Sequence, residues 1–137
     1  MTGKKVIRVN LSDKRIASPE RGWMVQLLPV LSEHLGAIAD IHAVSLEPGV
    51  IRGNHVHHQR IEALFPLSEG LTIAWEDENG KITEHSEAGT TLYIFPPNIP
   101  HAIRNDYTTT GYAIAFGNMP FDKDQPDRYP QIVLNDI

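Results

Sequence analysis

PGVIRGNHVHHQRIE, residues 48–62, is the stretch on which the reading of this chain turns. Pro48-Gly49 is a turn signal, and the β-prone run behind it carries His55 and His57 two residues apart. On an extended strand that spacing puts both imidazoles on one face, a few ångströms from each other. Glu62 lies an odd number of positions beyond His57 and would face the other way on a continuous strand. The polar run His58-Gln59-Arg60 offers a turn or bulge that reverses its direction, so the stretch reads as strand, turn, strand with three candidate ligands. A second stretch, FPPNIPHAIRN at residues 95–105, ends one strand at Pro96-Pro97, which cannot donate to a ladder, and opens the next with His101. In a closed β-structure His101 can reach the same point from across the interior.

Outward from these stretches the same rhythm of short β-prone runs and turns continues. It predicts strands over residues 6–9, 22–28, 41–46, 50–57, 61–67, 71–76, 81–86, 90–95, 101–105 and 112–116. Residues 31–35 hold one helical turn at most. Asp77-Glu78-Asn79-Gly80 joins two alternating runs and is the clearest hairpin signal. Residues 121–127 are polar and irregular before a last β-prone run at 129–134, so 121–137 is read as a mobile tail or as an arm on a partner subunit. With almost no helical periodicity, the fold class is all-β, a closed barrel or double-sheet jelly roll. No linker or repeat interrupts the 137 residues, which form one domain with a motif core at 41–116.

A chain of this length buries enough surface for a core without disulfides or a structural metal. It has no cysteine, which excludes thiol catalysis, iron–sulfur clusters and cysteine zinc sites. Twelve Lys and Arg against seventeen Asp and Glu leave a net charge of −5, which argues against nucleic acid and anionic membranes as partners. No apolar run approaches the ~20 residues of a membrane span, and no signal peptide is evident, so a cytoplasmic protein is expected.

Three neutral imidazoles and one carboxylate, from His55, His57, His101 and Glu62, make a mixed N/O set suited to one divalent transition metal (Fe, Mn, Ni, Co or Zn). Four protein ligands leave open positions on an octahedral ion, where a substrate or O₂ can bind. His34, His42 and His85 stand alone and are read as surface or hydrogen-bonded histidines. Metal loss is expected as pH falls through about 6.5, where free imidazole protonates.

Pro48-Gly49, then His55-Val56-His57 and Glu62, resembles the first motif of the cupin superfamily, G(X)5HXH(X)3–4E(X)6G. Pro96 to His101 with Asn105 resembles the second, G(X)5PXG(X)2H(X)3N. Gly70 stands one residue further from Glu62 than the pattern asks, one extra residue separates Gly89 from Pro96, and Asn98 stands where the pattern has glycine. Asn tolerates left-handed backbone better than most residues, and none of these departures touches a ligand position. The resemblance implies a small β-barrel holding one metal through His55, His57, Glu62 and His101, and a homodimer. Arg52-Gly53-Asn54-His55-Val56-His57 is also similar to a stretch of cupins acting on nucleotide-linked keto-sugars, among which the isomerases use histidines to move protons and often lack the Glu.

Three functions follow. The first is an enzyme whose ion acts on a small polar substrate, by keto-sugar isomerisation or epimerisation or by dioxygenation. The second is a metal-independent isomerase using the histidines as acid and base. The third is a small-molecule sensor without catalysis. Leu64 shares the direction of Glu62, and Ile103 and Asn105 that of His101, which makes these three candidate pocket residues. Asn105 is more simply a turn residue. Arg52 and Asn54 have the opposite parity to His55 and point away on a regular strand, with substrate anchoring the alternative for Arg52. His58 is read as outward-facing, Arg60 as solvated and Trp75 as core. Trp23 and Met24 are assigned to the underside of the barrel or a dimer seam.

Overall fold

The structure, a computed structural model, describes residues 5–124 and 126–136. Residues 1–4 and, within the expected C-terminal arm, Gln125 and Ile137 lie outside the described residues. The strands are β1 (Ile7–Asn10), β2 (Ile16–Ser18), β3 (Gly22–Met24), β4 (Asp40–Leu46), β5 (Ile51–Val56), β6 (Glu62–Pro66), β7 (Leu71–Asp77), β8 (Gly80–Ser86), β9 (Thr91–Phe95), β10 (His101–Asn105), β11 (Gly111–Gly117) and β12 (Tyr129–Pro130). Among the described residues one α-helix, α1 (Leu28–Leu35), falls between β3 and β4, and a single 3₁₀ turn (Ser12–Lys14) follows β1. Two five-stranded antiparallel sheets, ordered β1-β9-β6-β11-β4 and β12-β5-β10-β7-β8, face each other, and β2 and β3 form a separate ribbon. The class is all-β with a double-sheet barrel, as the turn spacing predicts, and of the cupin type that the motif resemblance implies.

The inward sides of both sheets share one core. Leu64, Tyr93, Phe95 and Ala115 of the first meet Leu71, Ile73, Trp75 and Ile103 of the second. The outer sides are covered too. Leu31 and Leu35 of α1, with Leu11, pack on Ala63, Phe65, Leu92 and Ile94. Val133 and Leu134 pack on Ala74 and Ala102. Strands covered on both faces read as unbroken apolar runs, which is why β6, β7 and β9 show little alternation.

Two sequence expectations are corrected. Where residues 22–28 read as a strand and 31–35 as one turn, the chain leaves β3 at Met24 and forms a helix of eight residues. Pro29 sits in its first turn, where a fixed φ costs nothing, Leu31 and Leu35 stack one turn apart, and Gly36 (φ 73°) ends it. The run at 129–134 keeps only Tyr129 and Pro130 in a ladder, against Val56 and His55. Pro130 has no N–H to continue it. Instead the Asn54 side chain takes over, accepting from Val133 N (2.9 Å) and Leu134 N (3.0 Å) and donating to Leu134 O (2.9 Å). The described residues of the C-terminal segment from 129 to 134 therefore lie on the chain's own second sheet.

One irregularity positions the site. Opposite β10, His101 pairs with His55 and Ala102 with Gly53, so Asn54 is an extra residue in β5. Gly53 (φ 91°) and Asn54 (φ 54°) both take left-handed backbone to form this bulge. A Cβ on Gly53 would stand 2.8 Å from the His101 carbonyl oxygen. Gly53→Ala is therefore expected to cost about 2 kcal/mol and lower the thermal midpoint by roughly 5–10 °C. A midpoint equal to the parent's would contradict the bulge.

Candidate functional site

The bulge sets which β5 side chains face inward. His55 lies opposite His101, whose other neighbour is the buried Trp75, and all three form one row across the second sheet. His57 follows the end of β5. The chain turns at residues 58–61 and re-enters the opposite sheet at Glu62, the first residue of β6. Glu62 thus faces the histidines from across the barrel, as the polar run at 58–60 suggests. The ligand atoms of His55, His57, Glu62 and His101 all lie within 4.8 Å of one another. Ring centroids are 4.7 Å apart for His55 and His57, 5.0 Å for His55 and His101, and 5.4 Å for His57 and His101.

Two of the rings have their tautomers set by backbone carbonyls, which only accept. His57 Nδ1 donates to Asp127 O at 2.5 Å, and His101 Nδ1 donates to Ile99 O at 3.0 Å. In each neutral ring the lone pair is then on Nε2, aimed at the cluster. His57 Nε2 is 3.0 Å from Glu62 Oε1 and hydrogen-bonded to it. His101 Nε2 is 3.5 Å from the same oxygen, buried, and makes no hydrogen bond. A lone pair facing a carboxylate is unfavourable unless a proton or a cation lies between them.

Burial opposes the charge on Glu62, but the rings of His101 and His57 outweigh it and hold the carboxyl well below its ordinary range. Burial also opposes the His57 imidazolium, yet the Glu62 hydrogen bond and charge raise its pKa above the usual value. His55 lacks such a partner. Burial, then the neighbouring His101, push it down to about 3, so its ring is neutral.

The cluster lies at a cavity of about 520 Å³. Leu64, Ile103 and Ala115 supply apolar wall, and the exposed Arg52 and Arg128 line its open side. Of the residues the sequence offers for a pocket, Leu64, Ile103 and Arg52 line this cavity. The bulge reverses the parity of Arg52, which pairs with the inward Ile103 and does not point away as a regular strand predicts. Asn105 is not a cavity residue: fully buried, it donates to Leu46 O and Thr109 O (both 2.8 Å) and accepts from Tyr107 N (2.9 Å). Asn54 is likewise structural. His58 is exposed, near Tyr129 (4.4 Å) and hydrogen-bonded to Asn98. Arg60 was expected in solvent but is buried, with Nη2 2.7 Å from Asp40 Oδ2 and Nη1 donating to Met119 O. Gly117 makes room for its guanidinium.

Trp23 is partly exposed with Arg15 over its ring, and its edge fills the space beside Gly89. Met24 is exposed. Among the solitary histidines, His42 is hydrogen-bonded to Asp40 at the surface and borders the cavity, and His85 bonds Thr72. Sequence reasoning missed Asp127 and Arg128. Both sit in a polar, irregular run in which periodicity carries no signal.

No family model matches the chain, and no curated protein does. Solved structures do match. The capsular polysaccharide assembling protein CapF from Staphylococcus aureus superposes with a TM-score of 0.64 at 27% identity, over 71% of this chain. The match spans only 29% of the CapF chain. The sugar 3,4-ketoisomerase QdtA from Thermoanaerobacterium thermosaccharolyticum gives 0.69 at 12% identity over 90% of this chain and 85% of its own. A 3,4-ketoisomerase from Helicobacter canadensis gives 0.70 at 13% over 90% and 88%. The fold is the cupin fold, of the kind found in these sugar isomerases. No helix among the described residues is long and apolar enough to cross a membrane.

Proposed function

We propose that the chain binds one divalent transition metal through His55, His57, Glu62 and His101 and acts as an isomerase or epimerase on a small keto-sugar with an anionic arm. The observation that carries this is the buried His101 Nε2, without a hydrogen bond and turned toward a carboxylate. The donor set fits Fe, Mn, Co, Ni or Zn. The four donor atoms lie within 4.8 Å of one another, close enough that one ion would be shared among them at bonds of about 2.0–2.2 Å.

A bound ion would supply Lewis acidity that polarises a carbonyl oxygen, easing proton loss from the adjacent carbon. The chain's own residues supply the rest. The apolar wall of Leu64, Ile103 and Ala115 keeps water away from the reacting end, which strengthens electrostatic interactions there. Arg52, whose Nε donates to Ser45 O, and the exposed Arg128 offer two cations at the open side for a phosphate or carboxylate. QdtA has been crystallised with TDP and, as a mutant, with TDP-4-keto-6-deoxyglucose, which supplies the first substrates to try. CapF has been crystallised with the inhibitor 3-isopropenyl-tropolone, whose adjacent oxygens are a chelating pair and make it a competitor to test.

The test is solvent deuterium uptake by nucleotide-linked 4-keto sugars, with and without a chelator. Uptake that stops with the chelator and returns with metal supports the proposal. Uptake indifferent to the chelator favours the second reading, in which the histidines act as acid and base without metal, and His57, bonded to Glu62, is then the ring best placed to shuttle a proton. The 3.0 Å bond and raised His57 pKa speak for that reading.

A pH prediction follows from the same pair. His55 is already neutral, whereas His57, hydrogen-bonded to Glu62, holds a proton that competes with metal. On the acid side of the raised His57 pKa, binding should release at least one proton per ion, and apparent affinity should fall at least about tenfold per pH unit there. Calorimetry in buffers of different ionisation enthalpy measures the release. Zero protons released at about pH 6, below the ordinary imidazole value, would contradict the assignment.

A further inference from the structure

We propose that Asp127 is a positioning residue for His57, so that the site is assembled only when the C-terminal segment is docked. The Asp127 carboxylate accepts three successive backbone N–H groups, from His58 (2.8 Å), Gln59 (2.8 Å) and Arg60 (2.9 Å). These are the amides of the loop joining His57 to Glu62. Its carbonyl oxygen, meanwhile, accepts from His57 Nδ1. One residue therefore grips the loop and sets the tautomer of the ring at its head. Burial opposes the carboxylate charge, but the three amides hold its pKa below the ordinary value.

The arrangement is not local. His101 takes its orienting carbonyl from Ile99, two residues away, whereas His57 takes its own from a residue 70 positions on. Asp127 is delivered by a segment fastened just beyond it. Tyr129 pairs with Val56, Gln131 N donates to Asn54 O (2.8 Å), and the Asn54 side chain holds Val133 and Leu134. Tyr129 also lies against His58 in the gripped loop. With this segment undocked, His57 Nδ1 has no carbonyl to donate to and either nitrogen can carry the proton. The metal half of the claim rests on the proposed function; the tautomer half does not.

Imidazole ¹⁵N–¹H correlation spectra of metal-free protein at alkaline pH, where the rings are neutral, test it directly. In the parent, His57 and His101 should both show the Nδ1–H form. In Asp127→Ala, His57 should become a tautomer mixture while His101 keeps its form, and metal affinity should fall about 10–100-fold, the usual cost of losing an orienting partner. Asp127→Asn retains an acceptor oxygen and should show the same change more weakly; it decides the matter if the alanine variant does not fold. A variant that loses thermal stability with the His57 tautomer unchanged would make Asp127 merely structural and overturn the proposal. So would a parent protein in which His57 is already mixed. A parent that binds no metal, with His57 behaving as described, would sink the metal reading and leave the positioning role intact.

Discussion

His101→Ala is expected to weaken metal binding at least a hundredfold and leave the purified protein with well under one ion per chain. Loss of an outer partner of a ligand already costs about 10–100-fold, and here the ligand itself is removed. The Nδ1–H bond to Ile99 O commits the ring to presenting Nε2, and no other described nitrogen or carboxylate lies in the four-residue cluster to replace it. The barrel should stand. His101 contributes a stacked contact with Phe95 at 4.2 Å, but the cores on either side are built from aliphatic and aromatic residues of both sheets. A stability loss of about 1–3 kcal/mol is the expected scale for one buried side chain. Elemental analysis after gel filtration, with circular dichroism of the same sample, checks both halves. A folded variant that keeps one equivalent of metal would remove His101 from the ligand set.

Glu62→Gln should have an effect of similar size for a different reason. The shape is retained and the negative charge is lost, so the cluster becomes four neutral donors and its attraction for a dication falls, by about a hundredfold on the same scale. The new amide can donate to an Nε2 lone pair, which spares the fold. In the metal-free variant His57 loses the partner that raises its pKa, and burial should then carry it below the ordinary imidazole value. Deuterium uptake separates the two readings. If the ion is the catalyst, saturating metal restores part of the activity. If the His57–Glu62 pair is the catalyst, metal restores nothing. A parent-like His57 titration in this variant would contradict the pairing on which both readings draw.

What was legible in the sequence is what depends on local chemistry. Pro96-Pro97 ends a strand whatever surrounds it, and Asn98 takes the left-handed backbone (φ 71°) where the cupin pattern has glycine. The alternation of His55 and His57, and the polar turn that brings Glu62 back, are likewise properties of a few adjacent residues. What was not legible depends on partners distant in the chain. The parity rule misplaced Arg52 because the Asn54 bulge is stabilised by Val133 and Leu134, about 80 residues on. Arg60 is buried because Asp40 lies across the first sheet, and α1 is a helix because Leu31 and Leu35 find a ready apolar face on β6 and β9. Asp127 is invisible to periodicity, since its role is played by hydrogen bonds alone.

The central claim is that four side chains, three from two facing sheets and His57 from the loop between them, surround one cation. X-ray absorption at the metal edge of the reconstituted protein tests it most directly. The account predicts a shell of three imidazole nitrogens and one carboxylate oxygen at about 2.0–2.2 Å, with any remaining positions held by solvent. A spectrum without imidazole scattering, or a protein that retains no metal to measure, would contradict it.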